Sequence, residues 1–224
     1  MQSMKTKRVK MYPDSGVELS SFTAKNYDKV MNTASLGLYS PFIHRAIRVM
    51  DIQPGDKILD LGCGTGHNAC IMTKYLGDDG AITGLDISPI MEEQFHKKCA
   101  KHPNVTFIRQ RIDQPFSLTE RFDKIFISFV IHGFPHEVRQ TVLQNVGNHL
   151  KPGGSFFMLD YAEFSLDEMP SVYRYIFKKI ECPYAFDFIE RDWKPTLSDY
   201  GFSGFEEFFF VKNYVRLLKA EKSA

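Results

Sequence analysis

No stretch of this chain holds the ~18 consecutive apolar residues that a membrane-crossing helix needs, and its start does not read as a signal peptide. The expectation is a cytoplasmic protein with no membrane span. Cysteine is scarce, and Cys63, Cys70, Cys99 and Cys182 show no CxxC spacing. That argues against a zinc site or a disulfide framework, so no metal is expected. The four read as reduced, structural thiols, with a relay of several thiols as the alternative. An excess of one charge is missing too: 28 Lys+Arg face 27 Asp+Glu, a net +1. Such a balance demands neither nucleic acid nor an anionic membrane as partner. No basic groove with interleaved aromatics supports a nucleic-acid surface. Only the start, with Lys5, Lys7, Arg8 and Lys10, is locally basic, and it reads as a solvated terminus. Internal repeats and low-complexity segments are absent as well.

What the chain does have is apolar residue, 43% of 224 positions, enough for a sizeable core in one domain with a small cap. Its 20 Phe and 10 Tyr fill such a core and can also line an apolar pocket. Residues 1–50 read as an N-terminal helical cap segment. Within it, Met1–Pro13 is a tail, and Phe22, Tyr27, Val30 and Met31 have helix-like spacing. Ser40-Pro41 then opens a helix as N-cap and first residue, with Phe42, Ile43, Ala46, Ile47 and Met50 on its apolar face. Residues 51–224 form the main domain, in one structural unit with the cap.

That domain alternates strand and helix. Strands are expected at Ile58–Leu61, Ala81–Ile87, Val105–Gln110, Phe122–Phe129 and Ser155–Tyr161. Helices are expected at Asn68–Leu76, from Ser88-Pro89 to Lys101, and at Pro135–Leu150. Repeated βα units mean an α/β fold with a parallel sheet and helices on both faces. The ending breaks the pattern. Phe205–Val211 and Tyr214–Ala220 are β-rich and separated only by Lys212-Asn213. A gap that short makes a hairpin, so one terminal strand runs antiparallel to the rest. Residues 162–200, with a helical Met169–Ile180 part, are long for a plain connection and read as a lid or substrate-facing insert.

The whole is organised around Lys57–Asn68, KILDLGCGTGHN. A buried strand, a tight turn and a helix start are written this way. Glycine lets backbone take unusual angles or come close to a ligand, and the helix start offers unpaired N–H groups to an anion. Gly62, Gly64 and Gly66 are spaced G-x-G-x-G, not the G-x-G-x-x-G of a dinucleotide turn. Asp86 follows at the end of the second strand, about 20 residues on, where an acid takes ribose hydroxyls in such folds. A nucleotide-type cofactor is implied. An NAD-dependent oxidoreductase shares the strand, the glycines and the acid, but the spacing and the final hairpin argue against it. A non-catalytic cofactor-binding or partner module is the third possibility.

The segments Asp60-Leu-Gly-Cys-Gly-Thr-Gly66, Gly84-Leu-Asp-Ile-Ser88, Phe122-Asp-Lys-Ile-Phe126 and Leu150-Lys-Pro-Gly-Gly154 together resemble the class I S-adenosylmethionine-dependent methyltransferases. That resemblance implies a Rossmann-like seven-stranded sheet in the order 3-2-1-4-5-7-6, with strand 7 antiparallel and helices flanking it. It also implies methyl transfer from S-adenosylmethionine to a small, hydrophobic or aromatic acceptor through a carbon, oxygen, nitrogen or sulfur nucleophile, in a monomer or homodimer. Within the superfamily, the Tyr27–Leu38 segment, the end of the fifth strand, the Pro170–Ile180 helix and Gly201-Phe202 are similar to the ubiquinone/menaquinone-biosynthesis C-methyltransferases. Two features differ from that group: the Gly-Cys-Gly turn and the fourth-strand ending Ser128-Phe-Val-Ile-His-Gly133.

The resemblance also implies roles. Asp60 binds the cofactor's amino group. Gly62, Gly64 and Gly66, with Cys63 between them, let backbone approach its methionine part. Asp86 accepts both ribose hydroxyls, since a carboxylate takes two donors at once; its structural alternative is a helix-capping acid. Ile87 packs on the adenine. Gln110, Arg111 and Ile112 follow the third strand and meet the adenine edge, with solvent-facing positions as the alternative. Ser128 and Phe129 lie where the fourth strand opens over the methyl group. His132 is the candidate base, because its ordinary pKa lies near neutrality; the alternative is a pocket-shaping side chain. Tyr27 and Tyr161 line the sulfonium and the acceptor, as aromatic faces attract cations.

Overall fold

A computed structural model describes Tyr12, Ser15 and residues 38–223. Most of the expected cap segment, including the Phe22–Met31 helix and Tyr27, lies outside the described residues.

The first described helix, α1 (Tyr39–Arg48), buries Ile43, Ala46 and Ile47. It begins two residues earlier than its sequence suggests. Leu38 stands at the cap without a side-chain bond, so Ser40 is inside the helix rather than its N-cap. Pro41 remains tolerated because first-turn N–H groups have no intrahelical acceptor. From there β1 (Lys57–Leu61), α2 (His67–Met72), β2 (Ala81–Asp86), α3 (Pro89–Cys99), β3 (Val105–Arg109), β4 (Phe122–Ser128), α4 (His136–His149) and β5 (Leu150–Tyr161) alternate. Ser88 caps α3 by accepting from Met91 N, with Pro89 following it, as expected. A 3₁₀ turn, Thr73–Tyr75, closes α2 and makes that helix shorter than anticipated.

Between β5 and the final strands come α5 (Ser171–Ile180), α6 (Pro183–Glu190) and α7 (Trp193–Ser198), followed by β6 (Phe202–Phe210) and β7 (Val215–Lys222). The seven strands order as 3-2-1-4-5-7-6. β1 to β5 pair in parallel, while β7 is antiparallel to both β5 and β6. The expected topology is borne out, with two boundary differences. β5 starts at Leu150, which pairs with Phe122, and Gly153 at φ of 72° lies within the register shift before Ser155 pairs with Lys124. The β6–β7 loop is a 3₁₀ turn, Val211–Asn213, whose three residues all have positive φ.

Side chains alternate across the sheet with period two. Leu59, Ile125, Ile127, Phe156, Met158 and Leu218 pack with α4 and the insert on one face. Ile58, Phe126, Phe157, Leu159 and Leu217 pack with α1, α2 and α3 on the other. Central parallel strands covered on both faces read as near-continuous apolar runs, which is why β1 and β4 were legible. The insert expected as a lid or substrate-facing segment also supplies core: Phe188 on α6 and Trp193 and Leu197 on α7 are fully buried. Only α5 stays on the surface.

Candidate active site

All the sequence-predicted residues that the structure describes fall at the carboxyl ends of β1 to β5. Ligand crevices of open α/β sheets lie there. The turn after β1 is built by conformation first. Gly62, Gly64 and Gly66 have φ of 73°, 53° and 78°, the left-handed region that side chains resist. At Gly62 space is closed as well, since a Cβ would lie 2.7 Å from Val130 Cγ2. At Gly64 it is open, with Gly62 O at 4.0 Å as the nearest atom, so a side chain there would project into free space above the turn. Cys63 is buried with its Sγ against Gly84, a packing position. All four cysteines are free thiols.

Two acids stand beside this turn. Asp60 is the last residue but one of β1 and 1% exposed, and its Oδ2 has no hydrogen-bond partner among the described residues. Burial, reinforced by Asp86, pushes its pKa up to about 7. A buried carboxylate oxygen left without a donor costs free energy, and an ammonium group supplies what it lacks. Asp86 ends β2. Its Oδ2 accepts from Gly64 N at 3.0 Å and its Oδ1 from Ser88 N at 2.8 Å. The capping role set against ribose binding is therefore real, yet each oxygen keeps capacity for a second donor. Burial raises the Asp86 pKa against the pull of these backbone bonds. Ile87 follows directly. Beyond β3, Gln110 N bonds Asp86 O at 3.2 Å, and its amide nitrogen donates to Arg111 O at 3.1 Å. Arg111 is drawn onto Asp113, which also accepts from Tyr12 Oη at 2.8 Å. Ile112 is buried. These groups suit a nucleoside with a positively charged amino-acid arm.

The second half of the site lies past β4 and β5. Phe129 holds φ of 52°, a strained conformation for a non-glycine residue and one that clusters at functional sites. Its N–H bonds Leu159 O, and its ring neighbours Phe42 and Tyr161. The chain then enters a 3₁₀ turn, Ile131–Gly133, that carries His132. His132 Nδ1 is 2.7 Å from Asp160 Oδ1, and Nε2 is 3.6 Å from Glu181 Oε2. Donation from Nδ1 to Asp160 leaves Nε2 as the acceptor nitrogen. Burial alone would lower the His132 pKa, but the carboxylates of Asp160 and Glu181 outweigh it and raise the value above 6.5. Tyr161 Oη donates to Glu181 Oε1 at 2.5 Å, and its ring lies 5.2 Å from that of His132. The two halves join at Val130, which packs on Gly62 two residues before His132.

Sequence reasoning missed three residues that hold His132. Asp160 left one signal, a carboxylate in an otherwise apolar strand. Arg139 left another, a charge on the face of α4 that also carries Val142 and Val146. The Arg139 side chain is fully buried, donates to His132 O at 3.2 Å and Tyr184 O at 2.5 Å, and pairs with Asp187. Glu181 left no signal, since only folding brings the residue after α5 to the end of β5. His67 stacks beside Tyr39 and His136 opens α4, so neither joins the cluster.

Comparison with known proteins follows from this geometry. Residues 58–154 match the family model described as "Methyltransferase domain". The resemblance to class I S-adenosylmethionine-dependent methyltransferases is thereby borne out. The chain is 30% identical over 156 residues to the demethylmenaquinone methyltransferase of Staphylococcus aureus (strain JH9), which covers 69% of this chain and 64% of that one. The match thus spans just under two thirds of that relative. A SAM-dependent methyltransferase from Aquifex aeolicus shares the fold at a TM-score of 0.58 and 18% identity, over 80% of this chain and 88% of its own. A glycopeptide N-methyltransferase solved with S-adenosyl-L-methionine does so at 0.61 and 16%, over 81% and 87%. The matched segment contains the glycine turn, both acids and His132. Asp160, Tyr161 and Glu181 lie beyond it. Among the described residues, no helix is long and apolar enough to cross a membrane.

Proposed function

We propose that this chain transfers a methyl group from S-adenosylmethionine to a small, hydrophobic or aromatic acceptor whose nucleophile carries a removable proton. The observation that carries the cofactor is the buried, partnerless Oδ2 of Asp60 beside an open glycine turn. Asp60 would take the amino group, the Gly62–Gly66 backbone the methionine arm, Asp86 the ribose hydroxyls, and Ile87, Gln110, Arg111 and Ile112 the adenine side. When bound, the cofactor supplies an electrophilic methyl group. The protein's work is then to position the acceptor and exclude water. Ser128, Phe129 and Tyr161 wall the space over the methyl group. His132 Nε2 receives the acceptor's proton while Asp160 fixes the ring and stabilises the imidazolium. The Staphylococcus aureus relative's name supports an acidic quinone-precursor ring as the acceptor; the histidine dyad equally supports a phenolic hydroxyl.

Calorimetry with S-adenosylmethionine and with NAD tests the cofactor. Binding of the first and not the second is expected, with Asp86→Ala weakening it about 10–100-fold through two lost charge-assisted bonds. Binding of NAD instead would overturn the reading. Incubation with labelled cofactor and a metabolite extract then identifies the acceptor from the labelled product. Cofactor binding without any labelled product would leave a binding module rather than an enzyme.

A further inference from the structure

Helix α5 is built the wrong way round for a soluble surface. Its sequence, SVYRYIFKKI, is strongly amphipathic, and such helices turn their apolar stripe to the core. Here one large side chain, Phe177, is buried, packed among Tyr161, Phe164 and Phe186. The helical spacing Val172–Ile176–Ile180, flanked by Tyr173, forms a continuous stripe that faces solvent: Val172 is 70% exposed and Ile180 72%. The β6–β7 turn extends it. Lys212 Nζ lies 5.0 Å over the Tyr173 ring, beside an exposed Val211.

Charge within the helix has one sign. The ten residues of α5 contain Arg174, Lys178 and Lys179 and no acid, and Lys212 adds a fourth cation. Arg174 alone is paired, with the exposed Asp167 at 3.2 Å. On the helical wheel Arg174, Lys178 and Tyr175 lie on the arc away from Val172, Ile176, Ile180 and Tyr173, and Lys179 borders that stripe beside Val172. Lys179 Nζ rests 5.9 Å from the Tyr175 ring. An apolar stripe with aromatic shoulders, flanked by cations and free of acids, is the composition of a helix that lies in the plane of a bilayer interface. A second copy of the chain would bring the same cations against themselves, whereas an anionic lipid surface complements them.

We propose that α5, with the Val211–Lys212 turn, docks on an anionic membrane surface. The position of the helix gives the contact a purpose. Its inner residue Phe177 packs 5.1 Å from the Tyr161 ring, and Glu181, just past its last turn, bonds Tyr161 Oη and faces His132. The bilayer would therefore lie against the acceptor side of the site. An acceptor dissolved in lipid could reach His132 past α5 without crossing bulk water. This last step rests on the proposed methyl transfer; the docking itself does not.

Co-sedimentation of the full chain with vesicles tests the docking, and cofactor calorimetry on the same preparations reports separately on the methyltransferase reading. Binding is expected to vesicles of equal parts phosphatidylglycerol and phosphatidylcholine, weak on phosphatidylcholine alone, and falling as salt rises. Lys178→Glu with Lys179→Glu should weaken binding at least about fivefold per residue. Ile176→Asp with Ile180→Asp should abolish it. Both pairs are exposed, so cofactor affinity stays unchanged. No binding to either vesicle would overturn the proposal. Binding that survives both double variants would place the membrane contact elsewhere on the chain and overturn it as well. A dimer in light scattering that the isoleucine variants dissociate would make a second copy the occupant.

Discussion

Asp60 puts two demands in opposition at one carboxylate. Its folded pKa, about 7 against an ordinary 3.8, is raised, so its contribution to stability is full below the unfolded value and lost as pH rises through 7. At pH 8 the cofactor-free protein carries a buried, partnerless charge. Asp60→Asn removes it and should stabilise the free protein at pH 8 by roughly 2–4 kcal/mol, with little gain at pH 5; urea unfolding at both values measures this. The same substitution should cost most of the cofactor affinity in calorimetry. His132 shows the opposite logic. Its raised pKa means that the neutral ring prevails only above the ordinary 6.5, so kcat/KM should rise with pH along a limb centred above that value. Asp160→Asn removes the leading raising influence and leaves burial to dominate, which should move the limb to lower pH. His132→Ala should lower kcat about 10²–10⁴-fold. A pH profile unaltered in both variants would remove His132 as the base.

At the scale of elements, the glycine turn and α4 do the positioning. Gly62→Ala forces a Cβ onto Val130 at 2.7 Å in a left-handed backbone. It should cost about 1–3 kcal/mol in stability and displace the turn that carries His132, so kcat falls with cofactor affinity. Arg139 ties the Ile131–Gly133 turn to α6 through His132 O, Tyr184 O and Asp187, while its guanidinium faces the rings of Phe188 and Trp193. Arg139→Met strands those acceptors and should destabilise by about 3–5 kcal/mol, read by thermal or urea unfolding. The alternating strands and the antiparallel ending were legible because strand periodicity and a short hairpin gap are local patterns, whereas the strand order came from the resemblance of four segments to a known family. The acceptor half was half legible. His132 and Tyr161 follow strands already identified, but Glu181 reaches them from twenty residues beyond Tyr161 through a helix whose docking depends on one phenylalanine. That the insert, read as a lid or substrate-facing segment, also supplies core was not legible, because Phe188 and Trp193 look no different in sequence from pocket lining.

Across the whole molecule, composition concealed what folding sorted. A net charge of +1 carries no sign of a helix with three cations and no acid, since acids stand elsewhere in the chain, as Glu163 and Glu207 do on Arg216. Anchorage is sorted too. β1 and β4 are packed on both faces, whereas α5 hangs on Phe177. Hydrogen exchange should therefore separate them: amides of β1 and β4 open only with global unfolding, and those of α5 exchange orders of magnitude faster. Equal protection throughout would contradict so weakly held a helix.

One bond bears on the order of events. Asp86 already clasps Gly64 N before any ligand arrives, so the cradle is rigid from the moment the chain folds. Its ordering entropy is settled then and takes nothing from the affinity of an incoming nucleoside. The acceptor side is held less firmly, because α5 anchors on Phe177 alone among its large side chains. The two ligands should consequently enter in sequence, cofactor first, and S-adenosylhomocysteine should inhibit competitively against S-adenosylmethionine at every acceptor concentration.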